Sequence, residues 1–417
     1  MTDMTDTPAR EAAAPRTIVV IGGGQAAGCA IRALRDEGYA GRIVMIAEEV
    51  HAPYERPPLS KAVLAGEADA ASVRLMPAEA FDALDVEAWQ PARAVALDRA
   101  RRVVRTDTGR ELEYDRLLIA TGGAARRLPD AVVSTPNLFY LRTLDDAAAL
   151  GERLRASRRV LVIGGGWIGL EVAATARGLG VEVVVAEGAA RLCARSVPEP
   201  VSAFLSELHR ARGVELRLGA MLTALAPHPD DAARVRATFA DGSVVDADCA
   251  VAGIGLALNV AFAREAGLAV DDGIVVDACG TTSDPAIFAC GDVANHPSAW
   301  LGRRVRLESW ANAQYQAVAA AKAALGVRAD YAEIPWFWSD QYDVNLQILG
   351  ELPDDARIVV RGDPAERRAT LFFVRGDTLR GVVAINTARD LKLARKWMNQ
   401  GRAVSPDALA DTSRALA

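Results

Sequence analysis

The sequence is poor in the residues from which metal and disulfide centres are built. Its five cysteines, Cys29, Cys193, Cys249, Cys279 and Cys290, form no CxxC or CxxxxC pair, which excludes a zinc knuckle and a redox-active disulfide of the usual spacing. Most are expected to be small core residues. The four histidines, His51, His209, His228 and His296, lie at no metal-ligand spacing, so no metal site is expected. Long apolar runs are missing too: nothing approaches the roughly 18 uninterrupted residues of a membrane span, and the opening MTDMTDTPAREAAAPR has no apolar centre of the kind a secretory signal needs. A short flexible tail on a cytoplasmic enzyme is the expectation. Nor does one sign of charge dominate, with 48 basic against 54 acidic residues and a net charge of −6. That balance disfavours a general nucleic-acid role and leaves local patches open.

What the sequence does have is glycine in pattern. GGGQAAGCA (22–30) follows the apolar run 17–21, and GGGWIGLEVAA (164–174) follows the run 160–163. Each leads into an alanine-rich helical stretch, a second strand-like run (43–47 and 181–186) and an acidic residue at its end, with a further strand-like run at 116–120. That succession is the βαβ unit of a dinucleotide-binding domain, and it occurs twice. In a chain of 417 residues, 51% of them hydrophobic, two or three domains can each bury a core.

Gly22, Gly24 and Ala27 fit the G-x-G-x-x-G/A spacing, and Gly164, Gly166 and Gly169 repeat it. The first glycine permits the turn, the second lets backbone approach phosphate, and the helix N-terminus adds a favourable dipole. Glu48 and Glu187 stand where a carboxylate accepts hydrogen bonds from ribose hydroxyls. At the second unit that carboxylate also repels the 2′-phosphate of NADP, so NADH is expected over NADPH, although Arg191 and Arg195 are close enough in sequence to receive a phosphate. Two dinucleotides in one chain suggest a flavin held permanently and a nicotinamide that exchanges.

Near residues 328–338 the character changes. PWFWSDQY opens a region in which ARIVVRGD and ATLFFVRGDTLRGVVAIN look like antiparallel strands joined by Gly-Asp turns, and a basic helix at about 388–400 closes it.

Several segments together carry a family likeness: PYERPPLSK (53–61), LLIATGGAARRLP (117–129), GGGWIGLEVAA, IFACGDVA (287–294), RLESWANAQYQA (306–317) and PWFWSDQYD (335–343). With them the chain, from about residue 17 to 400, resembles the FAD-dependent ferredoxin reductases that feed Rieske dioxygenases and haem-thiolate monooxygenases. Rubredoxin reductases and apoptosis-inducing factor are relatives of that family. The resemblance implies an α/β fold with two Rossmann-like, glutathione-reductase-like dinucleotide-binding domains and a C-terminal α+β domain. The FAD domain would be discontinuous (1–120 and 252–328), interrupted by an NADH domain (121–251) and followed by the C-terminal domain (329–417).

Site residues follow from the same resemblance. FAD would be held by Gly22, Gly24, Ala27, Glu48, Arg56, Lys61, Ala120, Thr121, Gly122, Asp292, Trp310 and Trp338. NADH would be held by Gly164, Gly166, Trp167, Ile168, Gly169, Glu187, Arg195 and Gly255, with Trp167 able to cover the flavin face where nicotinamide enters. Lys61 and Glu171 would pair beside the flavin, an ammonium stabilising negative charge on the reduced ring and a carboxylate orienting it. Glutathione-reductase-like relatives pass electrons to a disulfide, and others use a single cysteine, but residues Pro53 to Gly66 contain none. The implied activity is hydride transfer from NADH to FAD and release of single electrons to a two-iron two-sulfur ferredoxin. A rubredoxin reductase and a flavin-based NADH sensor like apoptosis-inducing factor stay open as alternatives. Two basic groups, Arg303, Arg304 and Arg306, and Lys392, Arg395 and Lys396, are candidates for docking an acidic carrier.

Overall fold

A computed structural model describes residues 15–416; the expected flexible tail falls largely outside them. The apolar runs that precede the glycine clusters become the central strands, Thr17–Ile21 and Arg159–Ile163, of two parallel five-stranded sheets. The first sheet has the order Ile287–Ala289, Arg116–Ile119, Thr17–Ile21, Arg42–Ile46, Val86–Trp89. The second repeats it as Leu138–Tyr140, Cys249–Ala252, Arg159–Ile163, Glu182–Glu187, Glu215–Leu218. A parallel sheet is covered on both faces, so its strands read as continuous apolar runs. Accordingly Ile18, Val19 and Val20, and Val160, Leu161 and Val162, are all 0% exposed.

Helix Gln25–Asp36 and helix Trp310–Ala324 lie together on one face of the first sheet. Their contact is built largely of Ala30, Ile31, Ala317, Ala320 and Ala321, and such small side chains let the two helices approach closely. The strand Ile287–Ala289 returns to the first sheet only after the second sheet is complete, which makes the first unit discontinuous in sequence. The outgoing and returning crossings run side by side as an antiparallel ribbon of Gly123–Ala125 and Leu256–Leu258. The return therefore comes slightly later than residue 252, because Ala252 still pairs with Ile163 in the second sheet.

The C-terminal region forms an antiparallel five-stranded sheet in the order Trp336–Gln341, Val344–Gly350, Thr378–Ile385, Arg368–Arg375, Arg357–Asp363. Helix Ala388–Asn399 buries Leu391, Ala394 and Trp397 against one face of it, with Leu349, Phe372 and Val382. The other face presents Leu346, Leu371 and Val383 to Leu170, Val201 and Leu205 of the second unit. Clamped on both sides, the sheet carries its edge strand Trp336–Gln341 up to helix Trp167–Gly178 and the site. Among the described residues, no helix is long and apolar enough to cross a membrane.

Candidate functional site

The two glycine turns separate what the fold needs from what a ligand needs. Gly22 and Gly164 have φ of +128° and +107°, and a Cβ on either would collide with backbone carbonyl oxygen, of Ala120 and Gly253 respectively. Gly169 is closed in the same way by the Gly164 carbonyl, and Ala27 takes the corresponding place in the first unit, fully buried. Gly24 and Gly166 differ. Their φ values of −97° and −85° suit any residue. A Cβ at Gly24 would meet only the Arg56 guanidinium, at 3.7 Å, and one at Gly166 would meet nothing within 4 Å. Both are N-cap positions with no side-chain cap on the helix behind them. Bare backbone and uncapped amides leave the room and the donors that a dinucleotide pyrophosphate requires.

Cationic side chains gather at the first turn. Arg56 donates from Nη2 to Glu49 Oε1 at 2.7 Å, from Nη1 to the Tyr54 hydroxyl at 3.1 Å, and to the Arg142 carbonyl. Arg142 reaches Asp292 at 3.1 Å and the Gly123 carbonyl at 2.9 Å. Burial, and then the charge of Arg56 nearby, pull the Arg142 guanidinium below its ordinary pKa. Two crowded guanidiniums beside a bare helix N-terminus suit a diphosphate. Gly122, with φ +52°, lies against Arg142, while the Thr121 hydroxyl donates to the Asn259 carbonyl at 2.9 Å and Ala120 N–H donates to Ile21 O at 2.8 Å. Arg142 and Glu49 were not legible in sequence, because Arg142 comes from beyond the first crossing and belongs to no recognisable motif.

The acidic residues are not strict counterparts. Gly164 N–H bonds to Ala186 O and Gly22 N–H to Ile46 O, so the position matching Glu187 is Ala47, which packs against Gly23. Glu48 stands one residue further on, exposed. At the second turn, Glu187 accepts from Gly165 N–H at 2.6 Å and Ala189 N–H at 2.7 Å, which fixes both carboxylate oxygens. Arg191 is not available to a 2′-phosphate, since it binds Ser202 Oγ and the Ala194 carbonyl, each at 2.9 Å, and the Val197 carbonyl at 2.5 Å. Arg195 is exposed, and its guanidinium lies 3.8 Å from where a Cβ of Gly255 would be. Ile168 is 46% exposed. Trp167 packs its ring on Phe337 at 4.9 Å, at the junction with the C-terminal sheet.

Between the two turns, Lys61 Nζ lies 2.8 Å from Glu171 Oε2. Glu171 sits one helical turn past Gly166, and Lys61 follows the short helical turn Pro57–Ser60 that begins after Arg56. The pair thus joins the two dinucleotide units. Glu171 is 4% exposed and also accepts from Ser60 Oγ and, at 2.6 Å, from Ser339 Oγ. The aromatics form a group: Trp310 meets Trp338 edge-on at 5.8 Å, and Trp338 stacks on Trp336 at 5.0 Å. Trp310 is oriented by its Nε1–H donating to Glu55 Oε1 at 3.2 Å.

Within the first basic group the three arginines differ, and Arg306 is the one its own neighbours neutralise. Arg306, only 15% exposed, pairs with Asp272 at 3.1 Å and Glu308 at 2.6 Å; Arg303 pairs with Glu351 at 3.4 Å. Arg304 donates to the Val276 carbonyl at 2.6 Å. On helix Ala388–Asn399, Lys392 and Lys396 are exposed, whereas Arg395 is half-buried with its guanidinium 5.5 Å from the Trp336 ring. No group of three or more His, Cys, Asp or Glu side chains among the described residues is placed to hold a metal ion.

Comparison with known proteins agrees with this geometry. Residues 16–317 match the Pyridine nucleotide-disulphide oxidoreductase family, and residues 336–417 match the Reductase C-terminal family. The chain is 42% identical over 399 residues to the anthranilate 1,2-dioxygenase system ferredoxin–NAD(+) reductase component of Burkholderia cepacia, covering 95% of this chain and 98% of that one. It is 39% identical over 399 residues to putidaredoxin reductase of Pseudomonas putida, covering 95% and 94%. The crystal structure of a ferredoxin reductase for the CYP199A2 system from Rhodopseudomonas palustris matches with a TM-score of 0.90 and 38% identity, covering 95% of this chain and 98% of that one.

Proposed function

The chain belongs to the ferredoxin–NAD(+) reductases of oxygenase systems, within the pyridine nucleotide-disulphide oxidoreductases, and on that premise we propose that it draws a hydride from NADH and passes electrons singly to a two-iron two-sulfur ferredoxin serving an oxygenase. The observation that carries the reading is the pair of uncapped glycine turns, each bare at its second glycine, joined by the ion pair of half-buried Lys61 with buried Glu171. FAD, when bound, supplies the conversion of one two-electron donation into two one-electron ones. The first turn, Arg56 and Arg142 would hold its pyrophosphate, with Asp292 against Arg142 at the same end of the site. Gly166 and the helix behind it would receive the pyrophosphate of NADH, and Glu187 its ribose.

Hydride transfer needs no general acid, so the protein's own work is positioning and charge. Lys61 keeps an ammonium in a half-buried place where negative charge develops, and Glu171 keeps that ammonium in one orientation. Trp310 and Trp338 would present an aromatic wall to the flavin. The exposed face of helix Ala388–Asn399, with Lys392 and Lys396, is the basic surface that suits an acidic carrier.

Cofactor choice tests the reading at the second turn. The wild-type protein should use NADH with a higher kcat/KM than NADPH, and Glu187→Ala should narrow the gap by about tenfold, chiefly through better use of NADPH at Arg195. Equal use of both nucleotides by the wild type would contradict the assignment of Glu187.

A further inference from the structure

Resting on the reading that Lys61 stands beside the flavin, we infer that Ser339, Gln341 and His209 form a one-way hydrogen-bond relay that fixes the Glu171–Lys61 pair from two domains at once, with Ser339 as its positioning residue. The chain of contacts is continuous. Ser339 Oγ lies 2.6 Å from Glu171 Oε1, Gln341 Nε2 lies 3.0 Å from Ser339 Oγ, and His209 Nε2 lies 2.8 Å from Gln341 Oε1. The Tyr342 hydroxyl closes it, 3.1 Å from His209 Nδ1. Glu171, Ser339, Gln341 and His209 are 4%, 0%, 3% and 0% exposed, so bulk water does not compete for the links among these four.

The direction of the relay follows from chemistry. An ionised carboxylate only accepts, so Ser339 must spend its single proton on Glu171 and accept from the Gln341 amide. Gln341 then has its carbonyl oxygen left for His209, which must carry its proton on Nε2. His209 Nδ1 is bare and accepts from Tyr342. Every donor in the line points toward Glu171, an arrangement in which successive hydrogen bonds polarise one another. Burial holds the His209 pKa down to about 4, which keeps the imidazole neutral and able to accept at Nδ1.

The strand's pleat explains why these residues can do this together. Alternate side chains of Trp336–Gln341 face opposite ways. Phe337, Ser339 and Gln341 share the face that meets the second unit, at Trp167, Glu171 and His209, while Trp336 and Trp338 share the other. The carboxylate that orients Lys61 is therefore held by the C-terminal sheet, and that sheet's hold is itself anchored in helix Glu199–Ala211 of the second unit.

Ser339→Ala removes the Oγ donor to Glu171 Oε1 and takes from Gln341 Nε2 its Ser339 acceptor. In FAD-loaded protein it should lower the limiting rate of NADH-driven flavin reduction about tenfold, with half-saturating NADH unchanged. The flavin reduction potential should move to a more negative value, because Glu171, left with Ser60 as its hydroxyl donor, orients the ammonium less firmly. Ser339→Thr, which restores the hydroxyl, should restore both. A folded, FAD-loaded Ser339→Ala variant with wild-type limiting rate and potential would overturn the relay. An independent reading uses the wild-type protein alone: histidine-selective nitrogen NMR should show one imidazole as the Nε2–H tautomer with Nδ1 bare at neutral pH, and its loss of that signature in His209→Gln would assign it. Finding His209 as the Nδ1–H tautomer or as imidazolium would overturn the proposal even if no Ser339 variant folds. A wild-type protein that NADH does not reduce would defeat the functional reading instead, and the tautomer would still decide the relay.

Discussion

A single residue can separate a ligand's requirement from the fold's, and Gly24 does so. Its backbone conformation suits any residue and the protein leaves space beside it, unlike Gly22, whose Cβ would strike the Ala120 carbonyl. Gly24→Val should therefore yield a folded apoprotein with a thermal midpoint close to that of wild-type apoprotein, yet colourless and unable to bind FAD at micromolar concentrations. Recovery of yellow Gly24→Val protein with stoichiometric FAD would place the pyrophosphate elsewhere. The glycines and Glu187 were legible because a turn and an adjacent strand end fix their spacing locally. Glu48 stands one position beyond the counterpart of Glu187, because that counterpart is Ala47, which has no carboxylate. Arg142 carries no local signal, and Ser339, although inside PWFWSDQYD, carries none for its role: each reaches the site from a separate element, and only the packed fold brings them to Asp292 and Glu171.

At the scale of elements, helix Ala388–Asn399 shows how an amphipathic pattern divides its work. Its apolar stripe, Leu391, Ala394 and Trp397, is buried on the sheet, as the 3.6-residue period dictates. The sequence offers Lys392, Arg395 and Lys396 as one basic face, but Arg395 leans over Trp336 and contributes to packing as well as charge. The sharper test of docking thus reverses Lys392 and Lys396 only. The Lys392→Glu, Lys396→Glu protein should raise the apparent KM for an acidic two-iron ferredoxin about tenfold at low salt and flatten its salt dependence, leaving ferricyanide reduction unchanged. Unaltered ferredoxin kinetics at low and high salt would move the docking surface off this helix. The group Arg303, Arg304 and Arg306 looked equivalent in sequence; its ion pairs with Glu351, Asp272 and Glu308 come from residues that spacing could not anticipate.

At the scale of the whole molecule, two buried histidines carry a pH dependence. His209 and His296 are buried, and desolvation lowers each pKa from 6.5 to about 4, with Arg304 adding to the effect at His296. The unfolded chain binds protons at these histidines from about pH 6.5 downward and the folded chain does not, so stability is full above that pH and falls until about pH 4. Each histidine contributes a loss of about 3 kcal/mol across that window. Urea midpoints measured from pH 7.5 to 4.5 should decline, and His209→Gln should flatten the slope; a midpoint constant over that range would contradict the burial. The duplicated parallel units were legible at this scale because each is an uninterrupted apolar strand, glycine turn and helix. The clamping of the C-terminal sheet was not, because Leu346 and Leu371 look the same in sequence whether they face solvent or Leu170 and Leu205. That two electrons are taken from NADH and delivered one at a time is tested most directly by the anaerobic stoichiometry of NADH to ferredoxin. Limiting NADH mixed with catalytic FAD-loaded protein and excess oxidised two-iron two-sulfur ferredoxin should reduce two equivalents of ferredoxin per NADH. Oxidation of NADH that leaves the ferredoxin oxidised would contradict it.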